Sequence, residues 1–297
     1  MDTLLEILSP DFLLRNAFHE NLLVGLCCPL IGLFLVFRRL AFLGVALPQV
    51  STVGIAFALS PLGVQVASFL HILAGHGDST EIHATEQQLL ALLGSVTATL
   101  IAVIVLAVLE RRGRGVVEGR LGTVYVVASA AAILLIAKNP QAERGYLNLL
   151  KGEIIAVSNH ELHLTFFIFA AVLTTLFVFK REILLVSIDP DMALTLRKNL
   201  LAWDLLLYIL IGFTISVAVF SVGPLVAFGF LLIPPLTAHL FGLQLRQFAL
   251  FSSITGLTCA LLGFWVAYRF DLPVGPTDVV LLGLVYTIAF IVKRFTK

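Results

Sequence analysis

The sequence is a succession of apolar runs, each close to the length that crosses a lipid bilayer and each ending at charged or turn-forming residues. Of its 297 residues, 59% are hydrophobic and only 12% are charged, whereas a soluble domain carries about 25% charged residues. A helix needs about 20 apolar residues to span the hydrocarbon core. The sequence therefore predicts an all-α, polytopic integral membrane protein.

About nine such spans can be placed, so we expect eight or nine transmembrane helices in a single domain over residues 1–297. The spans lie near residues 17–37, 41–61, 88–110, 121–137, 162–179, 200–222, 224–242, 248–268 and 276–292. The run at 224–242 contains Pro234 and Pro235, which cannot donate backbone hydrogen bonds and are expected to break the helix. A re-entrant segment is therefore an alternative to a full crossing there.

Lysines and arginines are distributed unevenly between the two ends of these spans. One end carries Arg38, Arg39, Arg111, Arg112, Arg114, Arg120, Lys180, Arg181, Arg197, Lys198, Arg246, Lys293 and Arg294, and the other carries Arg15, Lys138, Arg144, Lys151 and Arg269. By the positive-inside rule, the N-terminus is predicted outside the cell membrane and the C-terminus in the cytoplasm. The formal net charge of +1 gives no indication of a nucleic-acid partner.

The second span contains residues that are unusual at membrane depth. It follows the Arg38-Arg39 pair at once and carries Pro48, Gln49 and Thr52. Helix-breaking and polar residues are tolerated in a span where they face protein or a water-filled path. We therefore expect Gln49 and Thr52 to line the path of whatever the protein moves.

The seventh span supplies the other candidate pathway residues. Pro234 and Pro235 free backbone carbonyls one turn earlier, and His239 follows near the inner face. A broken helix beside a titratable group is typical of a transport path. The alternative is that His239 is a hydrogen-bonded packing residue.

A polar stretch at about 183–199 is the one substantial cytoplasmic segment between spans. Ser187 or Asp189 can cap a helix whose first position is Pro190. The capped segment continues as Asp191, Met192 and Ala193. Such a helix is either a surface on which a partner protein pushes or a plain connector.

Two polar segments are predicted outside the membrane, at about 62–87 and 139–161. The first contains the histidines and carboxylates His71, His76, Asp78, Glu81, His83 and Glu86. These side chains could collect a divalent cation, or the segment is simply a solvated external loop. The second contains apolar patches that favour a short interfacial or re-entrant helix.

The sequence carries no Walker lysine motif, His-Glu-x-x-His, Gly-x-Ser-x-Gly or Gly-x-Gly-x-x-Gly, so no enzyme is predicted. An ATP-independent channel or secondary carrier would be expected to place carboxylates inside the membrane for ion coupling. The spans are interpreted as containing almost none, with Asp204 and Asp278 at helix ends and Glu110 at a boundary. A membrane scaffold is a further alternative.

Four segments in order resemble the membrane-spanning permease subunit of the ABC-3 family of ABC importers for zinc, manganese and iron. They are the start of the second span at 37–44, a mid-chain element at 149–158, the stretch at 184–193 with its Ser-Ile-Asp-Pro-Asp-Met-Ala sequence, and the Asp-Leu-Pro-Val-Gly-Pro-Thr sequence at 271–277.

This resemblance implies the partners and the direction of transport. Asp189, Pro190, Asp191, Met192 and Ala193 would couple to cytoplasmic ABC ATPase subunits, which bind the ATP. An extracytoplasmic solute-binding protein would deliver the cargo, and two permease copies, as a homodimer, would surround one path. The expected function is ATP-driven import of a divalent transition metal or a metal-containing solute, with no cofactor bound by this chain. A non-metal small solute is the alternative cargo.

The sequence departs from the family at the residues that usually bind the metal. An Asp and a His of the family align here with Val45 and Gln49, and Pro48 replaces a Ser. Valine offers no ligand atom and an amide is a weak one for a divalent ion. The cargo could pass a different site built from Gln49, Thr52 and His239, could be a complex needing no hard ligands, or could meet ligands on a second, non-identical permease.

Overall fold

The computed structural model describes residues 12, 14–66, 84–111, 117–137 and 158–295. Within them the chain is helical and contains no strand. The helices are α1 (Arg15–Phe37), α2 (Leu43–Ala58), α3 (Ala84–Arg111), α4 (Val117–Ala137), α5 (Asn159–Val178), α6 (Lys180–Ile188), α7 (Pro190–Thr195), α8 (Leu200–Val222), α9 (Pro224–Leu240), α10 (Leu245–Phe270) and α11 (Val274–Phe295).

Each predicted span corresponds to one of these helices. Seven helices in the described part of the chain are long and apolar enough to cross a membrane, namely α1, α3, α4, α5, α8, α10 and α11. The other two apolar helices, α2 and α9, are shorter, at 16 and 17 residues. The prediction of an all-α, polytopic membrane fold is therefore confirmed. The predicted segments at 62–87 and 139–161 lie largely outside the described residues.

Helices α1 and α8 form the centre of the bundle. Two thirds of the apolar stretch of each is buried (67% in both), against 22% in α4 and 17% in α5. Helix α1 packs against α9 and α10, α8 packs against α3, and α2 lies between α3 and α4. The peripheral helices therefore present most of their apolar surface outward, as helices in contact with lipid or with a partner do.

Glycines allow the central helices to cross at backbone contact. At the α2–α3 crossing, a side chain on Gly54 would collide with the Gly94 carbonyl. At the α1–α10 crossing, a Cβ on Gly25 would lie 2.8 Å from the Ala260 Cβ. Small residues bring membrane helices close enough for extended van der Waals contact. These crossings therefore fix the relative positions of α1, α2, α3 and α10.

The expectation that Pro234 and Pro235 break the helix of their span is wrong. Helix α9 is continuous through both residues. Pro235 has no N–H for the Leu231 carbonyl, and Gly32 of α1 packs directly on that carbonyl oxygen. Membrane helices tolerate internal prolines where a neighbouring helix covers the freed backbone group, which explains why α9 continues.

The α1–α2 and α8–α9 turns are short, and each contains a residue with a positive φ. Gly223 alone separates α8 from α9, at φ 87° and ψ 165°, a region that is essentially restricted to glycine. After α1, Arg39 is left-handed at φ 58°. The Leu40 and Arg39 amides bond back to the Leu35 and Val36 carbonyls, the pattern of a Schellman cap. The chain then enters α2 four residues after Arg39.

Candidate transport path and coupling segment

Helix α2 presents Val45 and Gln49 on one face. They are one turn apart, so their side chains lie one above the other, and both are half-buried. Pro48 lies inside the helix, and the Thr52 hydroxyl donates a 2.9 Å hydrogen bond to the Pro48 carbonyl. Thr52 is only 2% exposed. Gln49 is therefore a partly accessible residue in the middle of the span. The Thr52 hydroxyl, by contrast, is buried and hydrogen-bonded within the helix.

The other predicted pathway residues lie in different surroundings. Pro234 and Pro235 are buried, and Pro235 faces Gly32 of α1. His239 is exposed in the last turn of α9, with its ring 6.4 Å from that of Phe248. The five predicted residues thus differ in exposure: Gln49 is half-buried, Thr52, Pro234 and Pro235 are buried, and His239 is exposed.

An apolar groove of about 450 Å³ runs beside the Gln49 position, between α2 and α4. Val50 and Val53 line it from α2, and Val124, Val127 and Ala131 line it from α4. Val127 is 62% exposed. Gln49 therefore lies next to an open apolar surface, and this surface is continuous with the outer face of the bundle.

The opposite side of α2 is tied to two other helices by buried serines. The Ser51 and Ser95 hydroxyls are 2.6 Å apart, and Ser95 donates to the Ser216 carbonyl at 3.1 Å. All three residues have 0% exposure. The sequence does not predict this serine chain, because isolated serines in apolar runs give little indication of their partners. It connects α2, α3 and α8 at mid-helix.

The segment proposed to couple to a partner, at about 183–199, forms the predicted capped helix. Asp189 Oδ1 accepts a 2.9 Å hydrogen bond from the Met192 amide, and Pro190 occupies the first position of α7. Ala193 is fully buried, whereas Asp191 is exposed. Three large apolar side chains are more than half exposed: Met192, Leu194 and Leu196. Helix α7 is therefore anchored through one small residue and presents an apolar surface.

The two arginines that end α1 have different roles. Arg39 is exposed, whereas Arg38 turns inward. Arg38 Nε donates to Ser187 Oγ at 3.0 Å, and Nη2 lies 2.7 Å from Asp204 Oδ1. The Arg38 and Asp204 side chains are 13% and 24% exposed. Arg38 therefore connects the end of α1 with α6 and α8.

The spans contain one buried carboxylate, Glu20, that was not named among the few expected from the sequence. Glu20, in α1, is 2% exposed and accepts a 3.1 Å hydrogen bond from the Thr165 hydroxyl. Asp278 is fully buried in the second turn of α11, where Asn21 donates to it at 2.8 Å. The sequence analysis overlooked Glu20 because a single carboxylate does not interrupt an apolar run of this length.

No group of three His, Cys, Asp or Glu side chains that could hold a metal ion occurs within the described residues. The histidines and carboxylates at 71–83 lie outside the part of the chain that the structure describes.

The described helices form an apolar bundle with internal prolines in α1, α2 and α9 and with one short exposed helix, α7. The sequence model of the ABC 3 transport family matches residues 11–293, and the chain belongs to this family. The resemblance inferred from the four sequence segments is thus confirmed, and the chain is a multi-pass transport component and not an enzyme.

Individual relatives cover nearly the whole chain. The manganese import system permease protein ScaB of Streptococcus gordonii is 23% identical over 96% of this chain and 94% of its own length. An uncharacterized membrane protein of Cyanophora paradoxa is 26% identical over 94% of this chain and 85% of its own. PsaBC from Streptococcus pneumoniae, solved in complex with Fab, has a chain of the same fold, with a TM-score of 0.74 and 22% identity over 97% of this chain and 94% of that chain.

Proposed function

We propose that this chain is the permease subunit of an ATP-driven ABC importer for a divalent transition metal or a metal-containing solute. The observation that carries the proposal is α7, a capped and exposed helix that projects between two spans at the end of the bundle where most basic residues lie. A partner that moves such a helix moves α6 and α8 with it, because both pack against α7. ATP hydrolysis would take place in that partner and not in this chain.

The proposed orientation follows from the same end of the bundle. Arg38, Lys180, Arg197, Arg246 and Lys293 all lie at helix ends on the α7 side. The positive-inside rule assigns this side to the cytoplasm. The first turns of α1 and α5, joined by the 2.9 Å Asn16–Asn159 hydrogen bond, would then face outward, where a solute-binding protein docks.

The cargo would pass along the Val45–Gln49 face of α2 between two permease copies. A half-exposed amide in the middle of a span is costly to leave in hydrocarbon, so a second copy covering this face explains why Gln49 is tolerated. Manganese import by the Streptococcus gordonii relative favours a metal cargo. The Val45 and Gln49 side chains, by contrast, favour a complexed metal or a path with weak ligands.

The test is uptake into vesicles that contain this chain with its ATPase and its binding protein. Manganese, zinc and iron would each be supplied with and without a chelator, and an ATPase variant that binds but does not hydrolyse ATP serves as the control. Saturable ATP-dependent uptake of a free ion supports direct ion import. Uptake of the chelated metal alone identifies a complex as the cargo, and absence of ATP-dependent uptake of any of them contradicts the proposal.

A second candidate function, an ATP-independent secondary carrier, is favoured by the buried carboxylates Glu20 and Asp278. Carboxylates within membrane helices commonly couple substrate movement to ions or protons. Vesicles that contain this chain alone, with an imposed proton gradient, distinguish the two. Uptake without the ATPase that is lost in Glu20→Gln and Asp278→Asn supports the carrier, and uptake that requires the ATPase excludes it.

A further inference from the structure

We infer that Arg38 is the positioning residue through which movement of α7 reaches the pathway helix α2. The inference rests on the proposed function, since it concerns how ATPase action at α7 is transmitted within this chain. Arg38 is the C-cap residue of α1, and only the four residues 39–42 separate it from α2. Any displacement of the Arg38 side chain therefore acts on the turn from which α2 begins.

The first link runs from α7 to Ser187. Asp189 is both the C-cap of α6 and the N-cap of α7. Ser187 lies two residues before it, in the last turn of α6. The Ser187 hydroxyl donates to the Ile183 carbonyl at 2.6 Å. Because that hydroxyl has used its only hydrogen, its oxygen is free to accept from Arg38. The α6–α7 junction and Arg38 Nε are thus joined in one defined arrangement.

The second link holds Arg38 in place. Nη2 of Arg38 forms a charge-assisted contact of 2.7 Å with Asp204 in the second turn of α8. The contact is largely shielded from water, at 13% and 24% side-chain exposure, so it is stronger than an open surface pair. The guanidinium is a rigid planar fork, and its two contacts to α6 and α8 fix its direction. A lysine has three donors on a single nitrogen and lacks the planar fork, so it would not hold the two contacts in the same fixed direction.

The third link carries the motion across the membrane. Helix α8 is joined at mid-depth to α2 and α3 through Ser216, Ser95 and Ser51. Arg38 is connected both to the α1–α2 turn and, through Asp204, to α8. The turn joins α2 at its start, and α8 is linked to α2 at its middle through the serines. Gln49 lies between these two attachment points, two residues before Ser51.

The chain supplies a matched control in the adjacent residue. Arg39 has the same charge and lies on the same turn, but its side chain is exposed. Replacement of each arginine by Gln removes one positive charge from the same end of the bundle. Only Arg38→Gln removes the contacts to Ser187 and Asp204.

The experiment compares transported solute per ATP hydrolysed in vesicles containing the full complex. We expect Arg38→Gln to keep ATPase co-purification and ATP hydrolysis but to transport about tenfold less solute per ATP, the range of a typical coupling between two sites. Arg38→Lys should fall between the unchanged protein and Arg38→Gln. Arg39→Gln should retain the unchanged ratio.

The outcomes separate this inference from the proposed function. Absence of ATP-dependent uptake by the unchanged protein contradicts the proposed function. An unchanged ratio in Arg38→Gln, or an equal loss in Arg39→Gln, contradicts the role of Arg38 while leaving the importer intact. Should Arg38→Gln not fold, Ser187→Ala, which removes one acceptor only, is expected to lower the same ratio, and an unchanged ratio there overturns the inference.

A spectroscopic readout tests the transmission directly. Fluorescent labels at Phe42→Cys and Leu194→Cys report the α2 turn and α7, and the three native cysteines are all buried. Addition of ATP should change both signals in the otherwise unchanged complex. With Arg38→Gln, the α7 signal should still change and the α2 signal should not. An α2 response that persists in Arg38→Gln contradicts the inference.

Discussion

The carbonyl oxygen of Leu231 rests on the α-carbon of Gly32, which leaves no space for a side chain on α1 at that point. Pro235 has no amide N–H, so this carbonyl lacks its usual partner within α9. Helix α9 thus has a carbonyl group without a helical hydrogen bond, and α1 covers that group. The close approach of α1 and α9 depends on both residues together.

Gly32→Ala is therefore expected to destabilise the protein strongly. The new Cβ would collide with backbone, which cannot rotate away, and overpacking of this kind costs about 1–3 kcal/mol or more. Gly283→Ala is the matched control, because a Cβ at that helical position in α11 meets nothing within 4 Å. Alanine there should be neutral or stabilise by up to about 1 kcal/mol. Thermal unfolding of both variants in detergent measures the difference, and equal midpoints would contradict this account of the crossing.

The Asn21–Asp278 contact predicts a measurable coupling between α1 and α11. The 2.8 Å hydrogen bond is fully buried, and Asp278 also packs directly on Gly263. Asn21→Ala leaves the carboxyl group without this donor, at an expected cost of about 1–3 kcal/mol. A double-mutant cycle with Asp278→Ala should give a coupling of about 0.5–3 kcal/mol in the free energy of unfolding. Additive effects would show that the two side chains do not stabilise each other.

Substitutions of Asp189, which caps α7, can separate the structural role of its side chain from the role of its charge. Asp189→Ala removes the acceptor for the Met192 amide and should weaken α7 by about 1 kcal/mol. Asp189→Ser keeps a capping oxygen without charge and should retain ATPase binding. Asp189→Lys should abolish transport while the permease still assembles. Co-purification of the ATPase and uptake are the measurements, and full uptake by Asp189→Lys would remove this residue from the coupling surface.

Ligands restored on the face of α2 should create a metal site. Val45→Asp combined with Gln49→His places a carboxylate and an imidazole one turn apart, a spacing at which both can reach one ion. Manganese or zinc binding, measured by calorimetry, should appear or strengthen relative to the unchanged protein. Val45→Asn combined with Gln49→Leu is the control of similar size. Equal metal binding by the two double variants would mean that Val45 and Gln49 do not lie on the face of α2 that lines the path.

The spans, the basic end and the cap of α7 were predictable from sequence because each depends on local chemistry. Apolar length defines a span, arginine pairs mark its end, and Asp189-Pro190 is a local capping sequence. The continuity of α9 was not predictable, because the group that covers the Leu231 carbonyl is Gly32, about 200 residues away in sequence. The difference between Arg38 and Arg39 also depends on distant partners, Ser187 and Asp204. In a helix surrounded by lipid and protein, apolar periodicity does not identify the face that meets another helix.

The single residue between α8 and α9 has a consequence for how the protein is made. Gly223 leaves no hydrophilic loop to be passed across the bilayer between Val222 and Pro224. The two helices therefore have no polar loop between them. We expect them to enter the membrane together, as one helical hairpin, during synthesis, and a longer loop inserted at Gly223 would allow the two helices to insert one after the other.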